Sequence, residues 1–177
     1  MKKIFFIFTF LIIVICENGN VFSSNDATLP SFEGEYGEWK VFTIEQNNQL
    51  VCYTTSTPKD MSGNHRDDRE PYVMVSFFGN VRQEISIATG YFYRPNSIVN
   101  VSIDGKQERF IAESDTIAWV EKYGTDKAII QEMLNGFKFM VFAESSGMTY
   151  SVDVYSLSGF KKAYSKIQEL CTQNNLQ

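Results

Sequence analysis

The sequence predicts an all-β domain, an immunoglobulin-like β-sandwich with a short internal helix and a C-terminal helix. About nine short segments rich in β-branched and aromatic residues follow one another at regular spacing, with turn residues between them. The segments do not show the strand–helix–strand rhythm that builds a parallel sheet. With 177 residues, of which 44% are hydrophobic, the chain is long and apolar enough to bury the core of one such domain.

The first half of the domain consists of strands and one long loop. Strands are predicted over 39–45, 49–57, 72–78 and 84–89. Asn47-Asn48 supplies the turn between the first two strands, and Pro58 ends the second. Residues 72–78 are apolar on both faces, as expected for a central strand. The segment 59–71 between the second and third strands is a polar loop dense in charge.

The second half adds further strands and the internal helix. Strands are predicted over 99–103, 107–112, 117–120, 137–143 and 150–155. Asp104-Gly105 joins the first two of these as a hairpin. Thr125 or Asp126 can cap a short helix, which stops at Asn135-Gly136, where the apolar stripe ends.

The C-terminal helix has the strongest pattern in the chain. Its apolar residues recur at helical spacing on one face: Phe160, Ala163, Tyr164, Ile167 and Cys171. Ser158 precedes this face, and its hydroxyl can accept an N–H group of the first turn. We therefore expect the helix to lie on the sheet with this face inward.

Residues 1–23 have the features of a secretory signal peptide. Lys2 and Lys3 precede an apolar run, Ile4–Cys16, which is shorter than the ~20 residues that a membrane-spanning helix needs. An uncleaved anchor and lipid attachment at Cys16 are alternatives. Beyond the signal we expect a flexible leader over 24–35, the domain over 36–172 and a short tail over 173–177.

Two cysteines follow the signal segment, Cys52 and Cys171. An even number of cysteines in an exported protein favours a disulfide bond, and each of these two lies on an apolar face of its element. Two buried free thiols are the alternative.

The composition excludes several classes of function. A net charge of -5 argues against binding to nucleic acid, whose phosphates require a basic surface. The single histidine, His65, lies in the polar loop, so the Ser or Cys nucleophile of a triad has no evident base. Zinc-ligand spacings and phosphate-binding glycine loops do not occur. We predict no catalytic residue, no metal ligand and no cofactor.

The residues leave two weaker possibilities for chemistry. Asp67, Asp68 and Glu70 could contact a calcium ion, although their spacing differs from that of an EF-hand. A glycosidase-like pair of carboxylates is the second, because such residues meet only in the folded chain.

An aromatic turn is the candidate binding surface. Tyr91, Phe92, Tyr93 and Arg94 follow one another on a predicted loop, where aromatic side chains can bury much area against a partner. Alternation places Tyr91 and Tyr93 on one side and Phe92 on the other. We expect Phe92 to pack inward, with Tyr91, Tyr93 and Arg94 forming the binding surface. The alternative is that the aromatic residues only cover one end of the sandwich.

Several segments occur in a characteristic order along the chain. They are Trp39-Lys-Val-Phe, Cys52-Tyr-Thr-Thr-Ser, Gly90-Tyr-Phe-Tyr-Arg-Pro, Val101-Ser-Ile-Asp-Gly, Ala118-Trp119, Asp153-Val-Tyr-Ser-Leu-Ser-Gly-Phe and the closing Cys171. In this set the chain resembles the invasion-associated locus B family of bacterial exported proteins over residues 36–172.

The resemblance implies an immunoglobulin-like β-sandwich in the periplasm or outer envelope of a Gram-negative bacterium. It also implies a non-enzymatic protein that binds an unknown protein or envelope partner, with a role in host-cell invasion. Contact with the membrane is expected only through the signal segment during export. An envelope housekeeping or assembly factor is the first alternative, and a hydrolase with a carboxylate pair is the second.

Overall fold

A computed structural model of the chain describes residues 29–65, 68–79, 82–122 and 124–173. The predicted signal peptide, residues 24–28 of the leader and residues 174–177 of the tail lie outside this part. The described part contains eleven strands and two helices. They are β1 (Ser31–Tyr36), β2 (Trp39–Gln46), β3 (Gln49–Ser56), β4 (Asp60–Gly63), β5 (Tyr72–Phe78), β6 (Arg82–Ala88), β7 (Ile98–Ile103), β8 (Lys106–Ile111), β9 (Ala118–Val120), α1 (Asp126–Asn135), β10 (Lys138–Glu144), β11 (Tyr150–Ser156) and α2 (Phe160–Gln173).

The strands form one continuous antiparallel sheet in the order β1-β2-β3-β5-β6-β9-β8-β7-β10-β11-β4. The sheet curls back on itself, which brings β2 near β11: the Trp39 indole N–H on β2 donates to the Ser156 carbonyl on β11 at 3.0 Å. Its two halves face each other as the layers of the sandwich and share one apolar core. The predicted all-β fold with an internal helix and a C-terminal helix is confirmed.

Alternation along the strands fills this core. Val99 and Val101 on β7 are fully buried, whereas Asn100 between them is exposed. β5 pairs with β3 on one side and β6 on the other, so it occupies the central position predicted for residues 72–78. The tight Asp104-Gly105 turn joins β7 to β8 as predicted.

Two edge strands were missed by the sequence pattern. The leader predicted over 24–35 is wrong for residues 31–35, which belong to β1 and pair with β2. A register shift between Phe32 and Gly34 breaks the alternation there, which is how a bulge hides a strand from a period-two pattern. The loop predicted over 59–71 contains β4, which pairs with β11. Every residue of β4 is exposed, so its sequence carries no burial signal.

α2 packs on the sheet with the predicted face. All five residues of that face are buried, and the Phe160 ring lies 4.6 Å from the Trp39 ring. The helix begins one residue later than expected: the Gly159 carbonyl accepts the first intrahelical bond from the Ala163 N–H, so Gly159 takes the capping position predicted for Ser158.

The disulfide bond between Cys52 and Cys171 is present. It joins β3 to the end of α2 across 119 residues, with 5.9 Å between the two Cα atoms. Closing a loop of this length contributes about 4–5 kcal/mol in the chain-entropy model. Both half-cystines are buried, so the bond lies inside the core between helix and sheet.

α1 covers the outer part of β6. The Asp126 carboxylate at its start accepts the Ile85 N–H at 2.9 Å, and Ile129, Ile130 and Met133 are buried beneath the helix. Phe137, the first residue of the strand predicted over 137–143, instead precedes β10 and is 82% exposed. Neither of the two helices that the structure describes is long and apolar enough to cross a membrane.

Candidate functional site

Four connections meet at one end of the sandwich. They are the loops over 64–71, 89–97, 112–117 and 145–149, which we call the loop end. Residues 66 and 67 of the first loop lie outside the described part of the chain. Loops presented at one end of a rigid sandwich are where such folds place their binding residues.

Backbone hydrogen bonds join three of these loops. The Tyr93 N–H donates to the Asp115 carbonyl at 2.8 Å, and Tyr93 forms an isolated β-bridge with Ser145. The Ser146 N–H donates to the Phe92 carbonyl at 2.9 Å. The aromatic turn is therefore fixed on both sides by its neighbours.

The first loop joins the assembly through Gly90 and the start of β11. Gly90 has a φ of +77°, and a Cβ atom added there would lie 2.6 Å from the Glu70 nitrogen. Glycine therefore allows the backbones of loops 64–71 and 89–97 to approach closely. The N–H groups of Asn64 and His65 donate to the Tyr150 carbonyl at 3.1 and 3.2 Å. The two loops that the sequence singled out by charge and by aromatic residues thus lie against each other.

A buried ion pair lies beneath these loops. The Arg69 guanidinium donates to both oxygens of Asp153 on β11, and it also donates to the Thr89 carbonyl at 3.2 Å. The two side chains are 3% and 0% exposed. Burial alone lowers the pKa of Arg69, but the hydrogen bond and charge of Asp153 hold that pKa above its ordinary value. Arg69 therefore stays charged and ties both loops to the sheet.

Tyr91 is half-buried and links the same elements. Its hydroxyl lies 2.9 Å from the Ser151 hydroxyl and donates to the Ala143 carbonyl at 3.1 Å. Its ring stacks on the His65 ring, with 4.1 Å between centroids. Burial raises the pKa of Tyr91. Only part of this side chain faces solvent, so Tyr91 lines the site and is not the freely exposed contact residue that was expected.

The predicted orientation of Phe92 and Tyr93 is wrong. Tyr93 is 1% exposed and its hydroxyl donates to the Ile87 carbonyl at 3.0 Å, whereas Phe92 is 64% exposed. The alternation is correct, since Tyr91 and Tyr93 lie on the opposite side from Phe92. The β-bridge to Ser145 and the turn at Gly90 decide which side faces the core, and no local pattern contains that information. Burial raises the pKa of Tyr93 strongly.

Arg94 is exposed, as expected for a surface residue. It pairs with Glu144 at 3.3 Å, and both side chains are largely in solvent. Such a pair contributes little to stability.

Sequence reasoning missed two further exposed apolar residues in this region. Met148 in the turn between β10 and β11 is 86% exposed, and Tyr150 beside it is 42% exposed. Met148 has a φ of +63°, in the left-handed region that a residue with a long side chain rarely adopts. The sequence contains one signal for this exposure, which is a methionine in a turn, directly after Ser145-Ser-Gly147.

A cleft of about 480 Å³ opens between these loops. Its walls come from loops 64–71, 89–97 and 112–117 and from the adjoining ends of β5 and β6. The lining residues are Asp68, Arg69, Glu70, Tyr72, Ala88, Gly90, Tyr91, Phe92, Thr116 and Ile117. The exposed Phe92 ring stands in its wall, so an apolar contact residue lies directly beside a concave surface.

A second groove, of about 530 Å³, collects carboxylates beside β6 and α1. Two of them have cationic partners: Arg82 pairs with Glu84 at 2.6 Å, and Arg109 pairs with Glu121 at 3.3 Å. A third, Asp126, accepts the backbone bond described above, and Glu113 is the fourth carboxylate that lines the groove. Within the described ranges no group of three or more His, Cys, Asp or Glu side chains is arranged to hold a metal ion.

Comparisons with known proteins agree with this architecture. The sequence matches the family described as Invasion associated locus B (IalB) protein over residues 39–168. No curated protein matches the chain. The fold is similar to the crystal structure of invasion associated protein B from Bartonella henselae, with a TM-score of 0.56 and 14% sequence identity. That alignment covers 79% of this chain and 97% of the other. Since the family match spans most of the chain, including the loop end and the start of α2, the chain belongs to the invasion associated locus B family.

Proposed function

We propose that this protein acts by binding a macromolecular partner through the loop end, and that it does not act by catalysis. The observation that carries the proposal is the exposed Phe92 ring in the wall of a cleft whose loops are fixed from below. An exposed aromatic residue on a fixed backbone loses little conformational entropy when it is covered by a partner.

Buried side chains beneath the loops hold the loop backbone in place. The Arg69 guanidinium and the Tyr91 and Tyr93 hydroxyl groups donate to groups on three strands, β6, β10 and β11, and to the Thr89 carbonyl. A loop set held in this way presents its exposed side chains in one geometry before a partner arrives. Fixed loops of this kind suit the binding of a partner, whereas many enzymes require loops that move during the reaction cycle.

Export to the periplasm or outer envelope is part of the proposal. A buried disulfide is typical of proteins that fold outside the cytoplasm, and the apolar run near the N-terminus supports a signal peptide. N-terminal sequencing of the exported protein tests this: we expect a mature chain that begins between about residues 19 and 25. A mature chain that begins at Met1 would indicate an anchor instead.

A role in host-cell invasion is the finer part of the proposal, supported by the family to which the chain belongs. Fractionation of the envelope separates it from a housekeeping role. Exposure of the domain on the cell surface favours contact with host components, whereas a protein confined to the soluble periplasm favours a factor that assists other exported proteins.

Partner retention by immobilised protein tests the loop end itself. Wild type and the variants Phe92→Ala and Phe137→Ala are compared in envelope and host-cell extracts. Phe137 is the matched control, because its side chain is also exposed (82%, against 64% for Phe92) and it precedes β10, whose other end leads into the loop end. We expect Phe92→Ala to lose the retained partner while Phe137→Ala keeps it. Equal retention by all three proteins would contradict the proposal.

A further inference from the structure

We propose that the cleft of the loop end takes a cationic, partly apolar segment of a protein, in which a Lys or Arg side chain lies next to an apolar one. This inference rests on the proposed binding role of the loop end and names the class of partner. It follows from the shape of the cleft and from the distribution of charge around it.

The cleft is apolar on the walls that an inserted side chain would contact. Tyr72, Ala88, Phe92 and Ile117 supply aromatic and aliphatic surface, and Gly90 leaves the backbone bare between them. Transfer of an apolar side chain from water into such a site is favourable in proportion to the area covered. The partner therefore contributes at least one apolar side chain.

The charges at the cleft are predominantly negative. Asp68 and Glu70 line it, and the exposed Asp115 precedes the lining residue Thr116 in the chain. Among the described residues of the four loops, the arginines are Arg69 and Arg94, which pair with Asp153 and Glu144. The rim carboxylates on which the inference rests are Glu70 and Asp115, and both of these described arginines already have carboxylate partners elsewhere.

A cationic group completes this arrangement in two ways. It lies opposite the rim carboxylates, and it can rest on the faces of exposed aromatic rings, which attract cations. An anionic surface such as a phospholipid headgroup layer or nucleic acid meets repulsion from the same rim and from a chain with a net charge of -5.

Binding of synthetic peptides to the full mature protein tests the inference. The probe is a short soluble peptide that alternates lysine and leucine. One control peptide replaces the lysines with glutamates, and another replaces the leucines with serines. We expect saturable binding of the Lys-Leu peptide, weaker binding of the Lys-Ser peptide and none of the Glu-Leu peptide. Raising the salt concentration from about 0.05 to about 0.5 M should weaken the Lys-Leu complex, since exposed charges are then screened.

Variants locate the binding. Glu70→Gln should weaken the Lys-Leu peptide about twofold to fivefold, the effect of one exposed charge pair. Phe92→Ala should weaken it about tenfold, as for an aromatic residue at the centre of an interface. Glu35→Gln on β1 is the control for charge and should leave affinity unchanged. Thermal melting of each variant establishes that it is folded.

The outcomes separate this inference from the proposed function. The inference is overturned if the Lys-Leu peptide binds no better than the Glu-Leu peptide, or if Glu70→Gln and Glu35→Gln bind it equally. It is also overturned if vesicles of zwitterionic lipid, and not the peptide, bind in a manner that depends on Phe92. If Phe92→Ala still abolishes partner retention from extracts in any of these cases, the loop end remains a binding surface and only its partner class is wrong.

Discussion

Arg69 and Asp153 form a buried ion pair with two hydrogen bonds, and this pair joins the loop before β5 to β11 on the other half of the curled sheet. The residues are 84 positions apart in the sequence. The Arg69 guanidinium also donates to the Thr89 carbonyl, so one side chain connects two loops to the sheet that carries them. The candidate site depends on this pair for its geometry.

Removal of one partner of this pair should lower the free energy of unfolding much more than replacement of both partners by apolar residues. Asp153→Ala leaves the Arg69 charge buried and unpaired, and we expect a loss of about 3–5 kcal/mol in the free energy of unfolding. The double variant Arg69→Met with Asp153→Leu should lose less, because it leaves no buried charge. Urea unfolding followed by circular dichroism measures both. A double variant less stable than Asp153→Ala would contradict this account of the pair.

The aromatic turn gives a second contrast within three residues. Tyr93→Ala removes a fully buried ring and should cost about 3–5 kcal/mol. Phe92→Ala removes an exposed ring and should change stability by less than about 0.5 kcal/mol. Thermal unfolding of the two variants measures the difference. Equal destabilisation would mean that Phe92 also packs in the core.

Tyr155 carries a buried hydroxyl that has no hydrogen-bond partner among the described residues. Tyr155→Phe removes that polar group and should raise the free energy of unfolding by about 1 kcal/mol. Tyr93→Phe is the matched control, since it loses the bond to the Ile87 carbonyl and should cost about 1 kcal/mol. If Tyr155→Phe is the less stable of the two, the hydroxyl is bonded in solution.

The same tyrosines predict a loss of stability in alkali. Burial raises the pKa values of Tyr155 and Tyr93 in the folded state, with the charge of Asp153 as a further cause for Tyr155. The unfolded chain therefore releases these protons first. The stabilisation is fully present below about pH 10, the ordinary tyrosine value, and is lost as the pH rises from there toward the folded pKa values. Unfolding measured between about pH 9 and 12 should show a shallower loss for Tyr155→Phe than for wild type, and an identical slope would refute the assignment.

The disulfide should hold α2 on the sheet. Replacement of Cys52 and Cys171 by alanine should lower the free energy of unfolding by about 2–5 kcal/mol. Alkylation under native conditions offers an independent check, because both sulfur atoms are buried and bonded. Mass spectrometry of the mature protein without reduction should find the two peptides linked, and two alkylated thiols would contradict the bond.

Local patterns predicted those parts of the fold that are buried on one side. The five residues of the α2 face repeat at helical spacing because one side of that helix meets the core and the other meets water. The sequence pattern did not predict β1 and β4, because neither strand shows a regular alternation of buried and exposed residues. A register shift disrupts alternation in β1, and full exposure removes any alternation from β4.

The site was predictable only in part. The aromatic turn and the charged loop were visible as separate segments, because each stands out in composition. Their contact depends on pairs such as Tyr91 with Ser151 and Arg69 with Asp153, which are remote in sequence. Alternation also fixes only the relative sides of Tyr91, Phe92 and Tyr93. The tertiary bridge to Ser145 decides which side is inward.

Backbone amide shifts recorded by nuclear magnetic resonance test the binding role of the loop end most directly. The mature protein is titrated with a partner retained by wild type and lost by Phe92→Ala or, failing such a partner, with the Lys-Leu peptide. The account predicts that the largest shifts occur at residues 68–70, 90–94 and 115–117, and that α1 and the exposed residues of β1 stay unchanged. Shifts concentrated on β1 or around α1, with the loop end unaffected, would contradict it.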